Sequence, residues 1–293
     1  MKDHKHIWIK PEMMLIGIVL IWGYTFPVVK DVLNDIPPFT FLAYRFFLAV
    51  LVMCFLFRNH LRNINFMMVR KGILIGLFLF LGYFGQTLGT QFTTSTKTAF
   101  ITGISVVLVP LIAFFWLGER IHRQSAIGVI LSITGLVLMN SNGTVYHINL
   151  GDSLVFLGAI GFALYIIGVD IYTKKLDYIP LVMIQLATVT FLSFLLAISL
   201  EREALHFNYQ YSVWWAIVVN GIFGTALAFY MQNRFQKYST PTKTAIIFSA
   251  EPVFGGLFSY LLLGETMGIF GLLGGVAIFL GMFIAQTEKT EKI

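Results

Sequence analysis

The chain is 293 residues long, 57% hydrophobic and only 12% charged, with a formal net charge of +6. Soluble domains carry roughly 25% charged residues and cannot bury so much apolar surface in one core, so a bilayer is the fitting solvent and nucleic acid is not the expected partner. The single cysteine, Cys54, excludes an internal disulfide, and the six histidines show no metal-ligand spacing, so neither cofactor nor metal is expected.

The chain starts with Lys2, Lys5 and Lys10 and then enters an apolar run that passes through Trp22 and Pro27. The run lasts about 20 residues, a spanning length, and lacks a small-residue cleavage pattern, so it reads as a retained helix rather than a signal peptide. Ten spans follow from hydropathy: Met13–Leu33, Pro38–Phe57, Gly72–Thr90, Thr98–Leu117, Gln124–Met139, Leu150–Val169, Ile179–Leu200, Val213–Gln232, Thr244–Leu263 and Gly268–Gln286. The segments between them are loops, too short to fold alone.

Positive charge alternates across these spans. Sixteen Lys and Arg residues fall on one side, against Lys30, Lys97 and Arg202 on the other, with Arg45 inside a span. The excess marks the cytoplasmic side and places both termini there, in a multi-pass protein of the cell membrane.

One stretch is written twice. STKTAFITGISVVLVPLIAFFWLGE (Ser95–Glu119) returns as PTKTAIIFSAEPVFGGLFSYLLLGE (Pro241–Glu265) at an offset of 146, and Gln86, Gly128 and Gly135 keep that register with Gln232, Gly274 and Gly281. The chain therefore divides into residues 1–145 and 146–293, five spans each. Five is odd, so the second repeat enters the membrane from the opposite side. The expected fold is all-α integral membrane, ten transmembrane helices as two inverted five-helix repeats, with a substrate site near the midplane between them.

The motifs Ile21-Trp22-Gly23-Tyr24-Thr25-Phe26-Pro27, Arg45-Phe46-Phe47-Leu48-Ala49, GQTLGTQFTTSTKTAFITGISVVLVPL, Glu251-Pro252-Val253 and Leu263-Gly264-Glu265 occur in this order on successive spans. Together they resemble the ten-helix EamA-type branch of the drug/metabolite transporter superfamily, over nearly the whole chain. The resemblance implies a small-solute carrier, often an exporter of amino acids or related metabolites. Its cavity would be walled by the first, third and fourth spans and their counterparts.

Glu251 is the sharpest candidate, an ionisable group inside a span and followed by Pro252. A carboxylate there costs a few kcal/mol unless paired, protonated or facing water. It reads equally as a proton or amine site and as a structural tie. Its repeat mate is Ser105, which shares a polar helical face with Thr98 and Thr102. Gln86 and Gln232 are matched amides that either hold a polar solute or bond across helices. Tyr83 lies one turn before Gln86. Trp22 and Thr25 precede Pro27, whose ring should kink the first span, and Tyr165 is the approximate counterpart of Trp22. Asn220 and Tyr230 are weaker candidates on the eighth span.

Arg45 reads better as a long side chain reaching the external interface or pairing with a carbonyl than as an anion site. Lys97 and Lys243 sit at helix starts, where the dipole disfavours a cation. Gly264/Gly268 and Gly271/Gly275 point to close packing, within the chain or across a homodimer. Two other function classes stand beside the carrier: a multispanning membrane enzyme and a non-transporting receptor or scaffold. No catalytic motif supports the first; Gly103-Ile104-Ser105-Val106 and Asn149-Leu150-Gly151-Asp152 each miss a glycine of an intramembrane protease signature.

Overall fold

The computed structural model describes residues 11–139, 149–264 and 268–287. The lysine-bearing start of the chain, residues 140–148, Glu265, Lys289 and Lys292 lie outside these residues. The described residues form α1 (Pro11–Val32), α2 (Pro38–Leu56), α3 (Phe66–Phe92), α4 (Ser95–Gly103), α5 (Ser105–Ile112), α6 (Arg123–Met139) and α7 (Leu150–Thr173). After these come α8 (Tyr178–Leu200), α9 (Tyr211–Gly221), α10 (Ala228–Gln236), α11 (Pro241–Phe248), α12 (Glu251–Leu263) and α13 (Ile269–Gln286). Among the described residues nine helical segments are long and apolar enough to cross a membrane; α6 is apolar but has 17 residues. Large side chains such as Phe55 (79% exposed) and Phe115 (81%) face outward, as contact with lipid requires.

Local chemistry at the helix ends repeats with the sequence. Thr94 accepts the Lys97 amide at 3.2 Å to cap α4, and Thr240 accepts the Lys243 amide at 3.2 Å to cap α11. At the far ends Gly118 and Gly264 adopt left-handed φ of 66° and 67°, the conformation in which a glycine closes a helix without strain. Asn149 and Asp152 make a reciprocal capping box at the start of α7. The Lys97 ammonium lies 3.3 Å from Asp152, so its charge is balanced across helices and not by its own dipole.

The fourth and ninth spans are each broken in the middle, and at matching residues. Ile104 N–H donates to the Ile101 carbonyl at 3.1 Å, and Ala250 N–H to Ile247 at 3.2 Å. Past the break, Val107 and Val253 donate to the Ile104 and Ala250 carbonyls at 2.9 and 3.1 Å. All six residues pair at the offset of 146. Proline is not the cause, because the mate of Pro252 is Val106. Pro252 instead occupies the first turn of α12, where its missing N–H costs nothing. The sequence reading placed Glu251 inside a continuous helix; it is the first residue of a new one. Pro27, by contrast, lies within an α1 that continues to Val32.

Helix pairing follows the same pattern. α3 lies along α7, matched by α9 and α10 against α1. α3 against α8 is matched by α2 against α9, and α1 against α12 by α7 against α5. The contacts α2–α8 and α6–α13 are their own mates. Two of these contacts are glycine-to-backbone. A Cβ on Gly85 would run into Leu154 O and lie 2.6 Å from Gly158 N; one on Gly135 would lie 2.5 Å from Gly274 O. Backbones this close gain dispersion contact that lipid cannot supply. The expected small-residue spacings on the tenth span are used differently. Gly275 faces Val253 of the same chain, and Gly264 is a cap with nothing near its missing side chain.

Candidate functional site

The helix breaks border a cavity between the two halves, and one further irregularity lies beside it. It is lined by α1, α2, α3, α4 and α5 from the first half and by α7, α10, α11 and α12 from the second. Measured as space open to the centre of a water-sized sphere, it is about 50 Å³. One water needs roughly 10–15 Å³ on that measure, so this conformation has room for a few waters or a small solute head.

Nine of the ten residues expected at the site line it: Trp22, Thr25, Tyr83, Gln86, Thr102, Ser105, Tyr165, Gln232 and Glu251. Ser105 and Glu251 come from equivalent helix starts, α5 and α12, so the breaks set a hydroxyl and a carboxylate at matched places. Among the described residues no hydrogen bond or ion pair reaches the Glu251 carboxylate. The first turn of a helix stabilises negative charge through its free amides, and water in the cavity does the same. Burial opposes both, so the charge on Glu251 depends on how the cavity is filled.

The matched amides differ in use. Gln86 Nε2 donates to Thr102 Oγ1 at 3.1 Å and ties α3 to α4, whereas Gln232 Nε2 donates to Gln236 Oε1 at 3.0 Å within α10. Tyr165 faces the cavity with its ring, but its hydroxyl belongs to a closed triad. It donates to Gln185 Oε1 at 3.0 Å, Gln185 Nε2 donates to Asn233 Oδ1 at 3.2 Å, and Asn233 Nδ2 donates back to Tyr165 at 3.0 Å. All three side chains are buried. We predict that Asn233→Ala destabilises the fold by about 1–3 kcal/mol, the cost of buried partners left unpaired, and so lowers the unfolding midpoint in detergent. An unchanged midpoint would show the triad to be idle.

The other irregularity is a π-helical turn at Ile222–Leu227 between α9 and α10. Thr225 Oγ1 donates to the Asn220 carbonyl five residues back at 2.8 Å, and the Gly224 carbonyl accepts the Trp22 indole N–H at 3.0 Å. Such turns often mark functional positions. Two expectations are corrected here. Asn220 does not line the cavity; it is buried in α9 with its amide on the Ala216 carbonyl at 2.9 Å. Arg45 does not reach the interface, although it does meet a carbonyl as expected, that of Gly224 at 3.4 Å from Nη2. It is 2% exposed, lines the cavity, and donates from Nε to Thr225 Oγ1 at 2.8 Å and from Nη2 to the Tyr83 hydroxyl at 3.2 Å. Tyr230 also lies away from the cavity, accepting from Arg234 at 2.9 Å.

Comparison with known proteins gives the arrangement a context. A model of the EamA-like transporter family matches residues 9–141 and again 149–287. An uncharacterized transporter of Archaeoglobus fulgidus is 32% identical, over 94% of this chain and 85% of its own length. The uncharacterized transporter YoaV of Bacillus subtilis is 25% identical, over 94% of this chain and 96% of its own. A protein of Escherichia coli named a probable amino-acid metabolite efflux pump is 24% identical, over 94% of each chain. One crystal structure shares the fold with a TM-score of 0.75 at 17% identity, over 94% of this chain and 96% of the other.

Proposed function

The chain belongs to the EamA-like transporter family and is a multi-pass membrane protein, and from that premise we propose that it is a secondary carrier exporting small metabolites such as amino acids. The cavity between the halves is the solute site, and it opens alternately to either side. The observation that carries this reading is the matched pair of helix breaks, whose ends set Ser105 and Glu251 on one cavity. The mated helix contacts support two repeats in opposite orientation, with α6 as the fifth of ten spans. Two packings built from equivalent contacts have similar energies, which a carrier cycling between two faces requires. In this reading both termini are cytoplasmic, Glu251 exchanges a proton or a solute amine, and Gln86, Thr102 and Gln232 supply uncharged contacts.

Export is tested with cells fed a dipeptide, which release its amino acids through the carrier. Cells expressing the chain should retain less of an exported amino acid than cells expressing Ser105→Trp, which fills the cavity. Equal retention across all dipeptides tried would count against export. The orientation is tested in a Cys54→Ser background. A cysteine at exposed Asn208 should react with an impermeant reagent added to intact cells, and one at exposed Lys175 should not. The reverse labelling would invert the proposed topology.

A further inference from the structure

We propose that Arg45 is the anion anchor of the cavity, and that the carried solute bears a carboxylate which docks on the open edge of its guanidinium. The inference rests on the carrier reading and adds the chemistry of the solute to it.

The first argument is a count of donors. A guanidinium has five N–H groups in a fixed plane. Nε is spent on Thr225 Oγ1, and Nη2 is shared between the Tyr83 hydroxyl and the Gly224 carbonyl at 3.4 Å. Among the described residues nothing accepts from Nη1. The second argument is charge. Among the described residues no carboxylate makes an ion pair with Arg45; its partners are two hydroxyls, a carbonyl, and the rings of Tyr83 and Phe46 at 4.8 and 5.6 Å. A buried cation without a counter-ion is expensive. A strut for the π-turn would need only a neutral donor and would not retain that cost.

The third argument is position. The π-turn brings the Gly224 carbonyl and the Thr225 hydroxyl to one side of the guanidinium, and the Tyr83 ring stacks near it. These contacts hold the plane through Nε and Nη2, and Arg45 lines the cavity with Nη1 not engaged by any described residue. The free Nη1 end of this fixed planar fork can donate a charge-assisted hydrogen bond to a carboxylate. Glu251 lines the same cavity, and it disfavours a doubly charged anion. The balanced cargoes are therefore a zwitterion, whose ammonium faces Glu251, or a monoanion carried while Glu251 is protonated.

The test is thermal unfolding of the full-length protein in detergent, with the proteinogenic amino acids, their C-terminal amides, and their N-acetyl derivatives as probes. At least one free acid should raise the midpoint, and its amide should bind roughly tenfold weaker or not at all. Binding of the N-acetyl form identifies a monoanion cargo, and its failure a zwitterion; both keep the carboxylate on Arg45. Arg45→Gln should erase the preference for acid over amide. Arg45→Lys keeps the charge but loses the fork, and should weaken the acid while preserving the preference; it serves if the Gln variant does not fold. Acids and amides binding equally, no acid binding, or an intact preference in Arg45→Gln would overturn the proposal. Flux of the same probes in proteoliposomes separates the two failures. Amide flux blocked by Ser105→Trp would leave the carrier reading standing without the anchor, while flux of no probe would remove the carrier reading itself.

Discussion

In proteoliposomes, Glu251→Gln is expected to abolish transport driven by a pH gradient while leaving solute binding and solute-for-solute exchange in place. The amide keeps the size and one acceptor of the protonated acid but cannot take up or release a proton. The residue sits at the first turn of α12, on the cavity, with no partner among the described residues. A structural tie would show a different pattern: a lower unfolding midpoint in the Gln variant and an unchanged pH dependence of the flux that remains. Both quantities can be measured on one preparation. PH-driven flux at the wild-type rate would remove proton exchange at Glu251 from the account.

The second large effect is expected at Gly23. A Cβ there would collide with Phe254 Cβ and lie 2.9 Å from the Gly255 amide, so α1 and α12 meet backbone to backbone. Gly23→Leu must push the ninth span off the first, next to the residues that form the cavity. We predict loss of both transport and folded yield, since overpacking costs typically 1–3 kcal/mol and more where backbone is struck. Gly118→Ala is the control. Nothing lies within 4 Å of its missing side chain, and only its left-handed φ of 66° is penalised, at roughly 1–2 kcal/mol. Transport should survive that change. If Gly118→Ala were the more damaging, the contact between α1 and α12 would not be structurally critical.

What was legible in the sequence is what local chemistry dictates. The repeat was legible, and its mates Ser95 and Pro241 both begin helices, α4 and α11. Glu251 stands out because a carboxylate in an apolar run is costly wherever the helix points. The break before it was not legible. Hydropathy runs through Ile104 and Ala250 without interruption, and the proline that suggests a break is present in only one repeat. Arg45 was misjudged for a related reason. Composition alone lets a long cation on α2 turn toward the interface or inward, and its inward partners come from a π-turn that has no sequence signature. That same turn leaves Asn220 behind the cavity, its amide on its own helix.

The central claim is that the cavity serves one solute at a time and faces the two sides in turn, and solute counterflow tests it most directly. Proteoliposomes are loaded with an excess of an unlabelled amino acid that stabilises the protein, then diluted into a trace of the labelled form. A carrier exchanges one for the other, so label should accumulate transiently above its equilibrium level and then decay. Ser105→Trp should abolish the overshoot. Label that enters only to equilibrium would describe a channel, and entry no faster than in protein-free vesicles would contradict a carrier altogether.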